Sequence, residues 1–309
     1  MKRALLSLCA LIFLASCSNS TDVAIEKEVE NTGRCAPSAE NPTLGLSAIT
    51  DEYRVRVWDD PTSTDARDLE QIADNPSSNN SEYDLTVVES VAVSAKDCTI
   101  FVGACCEPVS GITFYEGENK GEWLQLIGHL PTVSPDGEQL ALVGYEELTI
   151  SSVANPDKVL TTIALPKADV ATIYRAQWIN NDDVALSGFT NDGAYLWIAS
   201  RSTKSLREGV QISDTVDDAA HGLSLVGLIG VDENNNIVTQ DIAAEQQTVV
   251  EYRYPDSLAI SSSDTLSGFV RSYVMRGERS VMVSDNGALT TWFGNGNPMS
   301  LAGKYNWAG

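Results

Sequence analysis

Val133-Ser134-Pro135-Asp136-Gly137-Glu138-Gln139-Leu140-Ala141-Leu142-Val143-Gly144 is the stretch whose reading decides the fold. An apolar run ends, a polar turn follows, and a second apolar run begins. Proline presets the first turn dihedral, aspartate bonds back to the backbone, and glycine takes the positive φ. The stretch therefore predicts a tight β-hairpin. The same layout returns as Val91-Ala92-Val93-Ser94-Ala95-Lys96-Asp97-Cys98-Thr99-Ile100-Phe101-Val102-Gly103 and as Trp178-Ile179-Asn180-Asn181-Asp182-Asp183-Val184-Ala185-Leu186-Ser187-Gly188. Weaker copies run from Ile229 to Val238 and from Tyr273 to Val283. Measured from Val93, Val133, Trp178, Val231 and Val274, the spacings are 40, 45, 53 and 43 residues.

Periods of this length, with several strands per unit, point to an all-β chain built as a β-propeller. The runs beside each turn are mostly apolar because middle strands of a blade lie between neighbouring blades. Further runs complete the units: Ile112–Tyr115, Leu148–Val153, Tyr195–Ala199, Val249–Tyr254 and Leu289–Phe293. With a unit around Leu44–Trp58, the count is six blades, or seven if the region 44–85 holds two. Ring closure by strands from both ends would pair Tyr53–Trp58 beside Ala288–Phe293. The rival fold, a pair of β-sandwiches, asks for less regular spacing. Ser134-Pro135-Asp136-Gly137 followed by Gln139-Leu140-Ala141 resembles the blade signature of TolB-like propellers, over roughly residues 85–300. That likeness implies a fold, not an activity.

The first twenty residues carry a different message. Lys2 and Arg3 precede an apolar run from Ala4 to Leu14 with Ser7 its only polar member, and Leu14-Ala15-Ser16-Cys17 follows. This is the layout of a secretory signal peptide, too short to remain as a membrane-spanning helix. With cysteine directly after the cut it resembles the lipobox of bacterial lipoproteins. The resemblance implies cleavage after residue 16, diacylglycerol on the Cys17 sulfur and a further acyl chain, such as palmitate, on its nitrogen. Two or more chains hold a membrane stably where one does so marginally. The expected organisation is a signal peptide over 1–16, a lipidated cysteine and flexible acidic tether over 17–34, and the propeller over 35–309. The address is the cell envelope, on the extracytoplasmic face of the plasma membrane, or the outer membrane in a cell that has one. Ser18 lacks the aspartate that retains some lipoproteins at the inner membrane.

Removing 16 of 309 residues, Lys2 and Arg3 among them, leaves 293 residues with 18 basic and 43 acidic side chains, a charge of −25. Such a surface repels phosphate backbones and anionic headgroups, which excludes nucleic acid as a partner and leaves the lipid on Cys17 as the one membrane contact. A second polar stretch, residues 60–83, reads as a long surface loop with one helical turn around Asp65–Ile72 and is a candidate contact loop.

Four cysteines remain after Cys9 leaves with the signal and Cys17 takes lipid: Cys35, Cys98, Cys105 and Cys106. An even number in an exported chain suggests disulfides. If Cys98–Cys105 is one extended strand, its ends lie roughly 23 Å apart, beyond the roughly 4.4–6.8 Å a disulfide tolerates. Two arrangements survive. Cys35 bonds Cys98, leaving Cys105 and Cys106 to each other, or Cys35 bonds one of the adjacent pair and two thiols stay free. Cys105-Cys106-Glu107-Pro108 also resembles, loosely, a motif of exported propeller-like proteins of actinobacteria, and that likeness implies no activity.

Catalytic motifs are missing. The two histidines, His129 in a loop between blades and His221 after the acidic turn 214–218, have no partner that suggests a dyad, and no Gly-x-Ser-x-Gly elbow, His-Glu-x-x-His pair or phosphate loop is present. Asp182, Asp183, Asn191, Asp192, Asp214, Asp217 and Asp218 are the residues that calcium would use, although Asn and Asp also fill tight turns for dihedral reasons. The tryptophans Trp58, Trp123, Trp178, Trp197 and Trp292 read as packing between blades. The expectation is a binding or scaffolding module for an envelope protein, peptide or glycan, with no catalytic residue, no metal site and no cofactor. The alternative is a calcium-assisted hydrolase or lactonase at the propeller channel.

Overall fold

A computed structural model describes residues 33–52, 54–69, 88–104, 111–116, 123–167, 171–214, 226–232, 234–241, 248–252, 254, 258, 260–265, 270–276, 278–284, 286–293 and 297–308. All of them belong to one of the chain's two compact units, Asn31–Gly309; the other is Met1–Glu30. The described residues contain strands and turns and no α-helix.

The strands form antiparallel meanders. β4 (Val88–Val93), β5 (Ile100–Ala104), β6 (Ile112–Glu116) and β7 (Trp123–Ile127) make one sheet, and β8 (His129–Val133), β9 (Gln139–Val143), β10 (Glu147–Ser152) and β11 (Asn155–Ala164) make the next. β12 (Ala171–Trp178), β13 (Asp183–Thr190) and β14 (Gly193–Ser200) follow, with β15 (Ser205–Leu206) and β16 (Val210–Ser213) sharing the outer edge of β14. Two further meanders are β17 (Val226–Val231), β18 (Ile237–Asp241), β19 (Thr248–Tyr252), β20 (Ile260–Thr265), and then β21 (Val270–Arg276), β22 (Arg279–Ser284), β23 (Leu289–Phe293), β24 (Met299–Leu301). The remaining sheet takes β1 (Ser47–Thr50), β2 (Val55–Val57) and β3 (Arg67–Asp68) from the N-terminal side and β25 (Tyr305–Ala308) from the C-terminal side.

The first strands close a circuit. β4 packs against β8, β8 against β12, β12 against β17, β17 against β21 and β21 against β25, whose partner β1 packs against β4. Radial meanders joined this way are a β-propeller. The five clear repeats in the sequence are the first hairpin of each meander from β4–β5 to β21–β22, and the further apolar runs are the third strands.

Three expectations need correction. Hydrogen bonding gives five sheets rather than six or seven separate blades, because β17 and β21 pair in parallel at Gly230–Met275 and Val231–Arg276 and fuse two meanders into one eight-stranded sheet. Ring closure uses Tyr305–Ala308 against Ser47–Thr50. The stretch 289–293 is instead the third strand of its own meander, held between β22 and β24. The helical turn expected near Asp65 is also replaced at Arg67–Asp68 by a short strand paired with β2.

Packing explains the apolar runs. Val91 and Val93 enter the core cluster shared with the β1–β3 sheet, while Ala92 between them enters the cluster shared with the β8–β11 sheet. Leu140 and Leu142 against Ala141 and Val143 divide in the same way. A strand with period-2 side chains buried on both faces is mostly apolar, with small polar residues such as Thr132 and Ser187 among them. One feature carries no sequence signature. Each first strand from β4 to β21 holds one extra residue against its partner, between Val88 and Ser90, His129 and Thr132, Ile173 and Arg175, Leu228 and Gly230, and Val270 and Ser272. Such bulges increase twist and bend the strand, here at the same end of each meander.

Candidate functional site

Four of the first-hairpin turns, at 94–99, 134–139, 179–183 and 232–236, are each built by their own acidic or amide side chain. Asp136 Oδ1 accepts from the Glu138 amide at 3.0 Å and from Ser134 Oγ, which itself accepts from the Gln139 amide at 2.9 Å. Asp97 caps the Thr99 amide, Asn180 the amides of Asp182 and Asp183, and Asp232 those of Asn234 and Asn236. These are the Asx turns that the spacing of polar residues encodes.

Successive turns are laced to each other. Lys96 Nζ reaches Glu138 at 2.6 Å, and its pKa is raised by that contact. Ser94 Oγ donates to the Gly137 carbonyl, and Gly137 at φ +71° leaves no room for a Cβ, which would stand 2.6 Å from Lys96 Cβ. Asn181 Oδ1 accepts from the Asp136 amide and its carbonyl from Gln139 Nε2, both at 3.1 Å. Farther on, the Tyr254 phenol donates to Asp183 Oδ2. Burial first, and that carboxylate second, push the phenol up to about 12.

The chain enters the ring beside the first of these turns. The Arg34 and Cys35 amides donate to the Lys96 and Ala95 carbonyls at 3.0 and 2.8 Å, and Cys35 is bonded to Cys98 with 5.2 Å between their α-carbons. Of the two cysteine arrangements, the first therefore holds for Cys35. Cys105 and Cys106 lie outside the described residues. From the other side the buried Arg279 guanidinium donates to the Leu44 and Gly45 carbonyls.

The expected calcium ligands divide. Asp182 is enclosed by Ser200, Ser202 and Arg201; burial pushes its pKa up, but those hydrogen bonds outweigh it and hold the carboxyl below its usual range. Asp183 serves Tyr254 and Asn180, Asp192 belongs to the β13–β14 turn, and Asp214 is exposed. Asp217, Asp218 and His221 lie outside the described residues, as does the greater part of the polar stretch 60–83. Among the described residues no three His, Cys, Asp or Glu side chains come together as a metal site would need. His129 begins β8 opposite Val143 rather than standing in a loop.

Of the tryptophans, Trp58, Trp123, Trp178 and Trp197 are buried, and Trp292 is half-buried. Trp178 Nε1 also donates to the Thr132 carbonyl of the preceding sheet at 3.0 Å. Sequence reasoning missed Arg67, which grips Asp59 and Glu116 and so ties the β1–β3 sheet to the β4–β7 sheet. It is kept charged by those carboxylates although burial opposes it. At the far ends of the same strands the surface differs. Ile127 and Tyr145 are exposed there at 77% and 49%, with Gly128 packed on Leu142 and Val143.

No family model matches the chain, and no curated protein sequence does. Among solved structures it is similar to Kuenenia stuttgartiensis hydrazine synthase (11% identity, 72% of this chain and 69% of that one, TM-score 0.49). Saccharomyces cerevisiae Sqt1 gives 12% identity over 87% and 72% of the chains, with a TM-score of 0.49. The β-propeller domain of the trilobed protease from Pyrococcus furiosus gives 12% over 66% and 67%, at 0.39. Likenesses this distant speak at most of the fold, which the strand order defines by itself.

Proposed function

We propose that this chain is a lipid-anchored, extracytoplasmic β-propeller of TolB-like type that acts as a binding or scaffolding module for an envelope protein, peptide or glycan. The observation that carries the reading is the Cys35–Cys98 disulfide. Disulfides persist in oxidising, exported compartments, and this one follows a leader ending in Leu14-Ala15-Ser16-Cys17 at the point where the acidic tether meets the ring. The polar groups of the described first-hairpin turns are used in building and lacing those turns, which suits a rigid presenting scaffold. Exposed Ile127 and Tyr145 supply apolar contact area on the opposite rim.

Metabolic labelling with an alkyne-bearing palmitate tests the anchor. Wild type is expected to carry the label and Cys17→Ser to lose it; an unlabelled wild type would remove the lipoprotein reading. Crosslinking in intact cells tests the scaffold. A discrete adduct, weakened by Tyr145→Ser with Ile127→Ser, is expected, and a wild type that forms no adduct would count against a binding role.

A further inference from the structure

We infer that the rim formed by Ile127, Tyr145, Glu146 and Glu147 docks a basic peptide segment that also carries apolar side chains. This deepens the binding-module reading above and rests on it. The rim is the corner where two meanders meet. Tyr145 and Glu146 form the two-residue tip of the β9–β10 hairpin, closed by the Gly144 amide on the Glu147 carbonyl at 2.8 Å. The tip is also held from the β11 side, where the Leu165 amide donates to the Glu146 carbonyl at 2.8 Å and Glu147 pairs with Ala164. Ile127 ends β7, and Gly128 after it turns the chain at φ +114° into β8, its missing Cβ only 3.0 Å from Leu142 Cβ. Ile127 and Tyr145 therefore flank the His129–Val143 pair, each two residues from it at the same end of the ladder. Ile127, at 77%, is the most exposed large apolar side chain among the described residues. The backbone of the corner is fixed by its own bonds, and it presents two apolar side chains and two carboxylates to solvent.

Charge selects the occupant. Glu146 and Glu147 are exposed, and neither has an ion-pair partner among the described residues. Lys167, two residues beyond Leu165, offsets one of the two charges, in a chain whose net charge is −23. A neutral sugar would leave both carboxylates unused, and an anionic surface would meet repulsion. A second copy fits no better, because a two-fold contact sets the same patch against itself and brings the Glu146 and Glu147 carboxylates of both copies together. A segment with Lys or Arg beside aliphatic side chains satisfies both halves of the rim. Its apolar groups cover Ile127 and the Tyr145 ring, a large contact surface with few rotatable bonds. Its cations meet the carboxylates at the edge, where charge sets selectivity and approach rate. The preformed corner keeps the ordering cost of binding low.

The test uses the full chain, purified from cells in a non-ionic detergent and captured by a C-terminal tag on a biosensor, with a protein-free channel as reference. The probe is a short synthetic peptide of alternating Lys and Val; peptides of alternating Glu and Val, and of alternating Lys and Ser, are its controls. The Lys–Val peptide is expected to bind, and to bind less as salt rises, since exposed charges are screened beyond about 10 Å at 0.1 M. Glu146→Gln with Glu147→Gln should weaken it about three- to tenfold, and Ile127→Ser with Tyr145→Ser at least about tenfold. Glu40→Gln with Glu278→Gln removes the same charge from exposed positions before β1 and in the β21–β22 turn, and should leave affinity within about twofold. If that variant loses as much as the rim variant, the attraction is diffuse and the rim is not the site. Equal binding of the Glu–Val peptide would overturn the charge argument, and equal binding of the Lys–Ser peptide the apolar one. A dimer in sedimentation that Tyr145→Ser dissolves would give the rim to a second copy instead. A cellular adduct that depends on Ile127 and Tyr145, with no binding of the Lys–Val peptide, overturns this partner chemistry and leaves the binding module standing. Absence of both overturns both.

Discussion

Arg279, at the start of β22, donates from Nη1 to the carbonyl of Leu44 at 2.9 Å, across 235 residues of sequence. The bond joins the last meander to the segment that leads into β1. It works beside the β25–β1 pairing, so the ring is closed both by a strand ladder and by a buried guanidinium. Gly45, the second carbonyl in the fork's reach, has φ +71° and a would-be Cβ 2.5 Å from the Cys35 carbonyl oxygen. Arg279, Gly45 and the disulfide are therefore parts of one clasp.

Arg279→Met is expected to destabilise the domain by about 3 kcal/mol, since it removes charge-assisted hydrogen bonds and leaves buried carbonyls without their donor. Arg279→Lys should recover only part of this, because an ammonium lacks the planar fork. Urea unfolding of the two variants measures it. A loss below about 0.5 kcal/mol, the usual size of surface effects, would show that the guanidinium is incidental to closure.

The disulfide makes a separate contribution. It closes a loop with a sequence separation of 63 residues, for which chain entropy gives an upper figure of about 4 kcal/mol. Cys35→Ser with Cys98→Ser should lower the unfolding midpoint, and a reducing agent should lower the wild type's without altering the variant's. If reductant moves both proteins equally, the bond is not the source of the effect.

The hairpins were readable because their chemistry is local. Ser134, Asp136 and Gly137 each act within five residues of themselves, and the two-sided burial of β9 leaves a run with no polar break. The closure was not readable. Tyr305-Asn306-Trp307-Ala308 is short, and only the alternation of Tyr305 and Trp307 hints at a strand; the longer run 288–293 looked the better candidate. Bulged positions such as Glu89, Tyr174 and Arg271 share no residue type, since an extra residue changes register rather than composition. Arg279 resembles any surface arginine until its strand is placed beside Leu44. The disulfide was half legible: spacing removed pairings within Cys98–Cys106, and only the fold could bring Cys35 to Cys98.

Tyr254 offers a pH signature. Its phenol titrates at about 12, raised first by burial and then by its bond to Asp183, against about 10 in an unfolded chain. A raised phenol pKa means that the folded state holds the proton more tightly. The stabilisation is complete below about pH 10 and is lost as pH rises towards 12. Ultraviolet titration of wild type minus Tyr254→Phe isolates this group. Asp183→Asn should move it part of the way back, because the effect of burial persists. A difference spectrum that titrates near pH 10 in the wild type would contradict the buried pair.

Gly137 and Gly144 separate two reasons for glycine within one repeat. Gly137 has φ +71°, and its missing Cβ would fall 2.6 Å from Lys96 Cβ and 2.9 Å from the Lys96 nitrogen, where backbone cannot yield cheaply. Gly144 has no positive φ, and its nearest neighbour would be the Glu147 carbonyl oxygen at 3.1 Å. Gly137→Ala should therefore cost about 2–3 kcal/mol, combining left-handed strain with a steric push between adjacent turns. Gly144→Ala should cost at most about 1 kcal/mol, since a gain in helical and extended rigidity offsets a mild contact. Lys96→Ala in the Gly137→Ala background then distinguishes the causes. The Lys96 Cβ and nitrogen remain in alanine, so no rescue is expected, whereas Lys96→Gly removes the Cβ and should return part of the loss. Equal costs for the two glycine variants, read from thermal unfolding, would mean that the turns do not press on one another and that each hairpin folds as an independent unit.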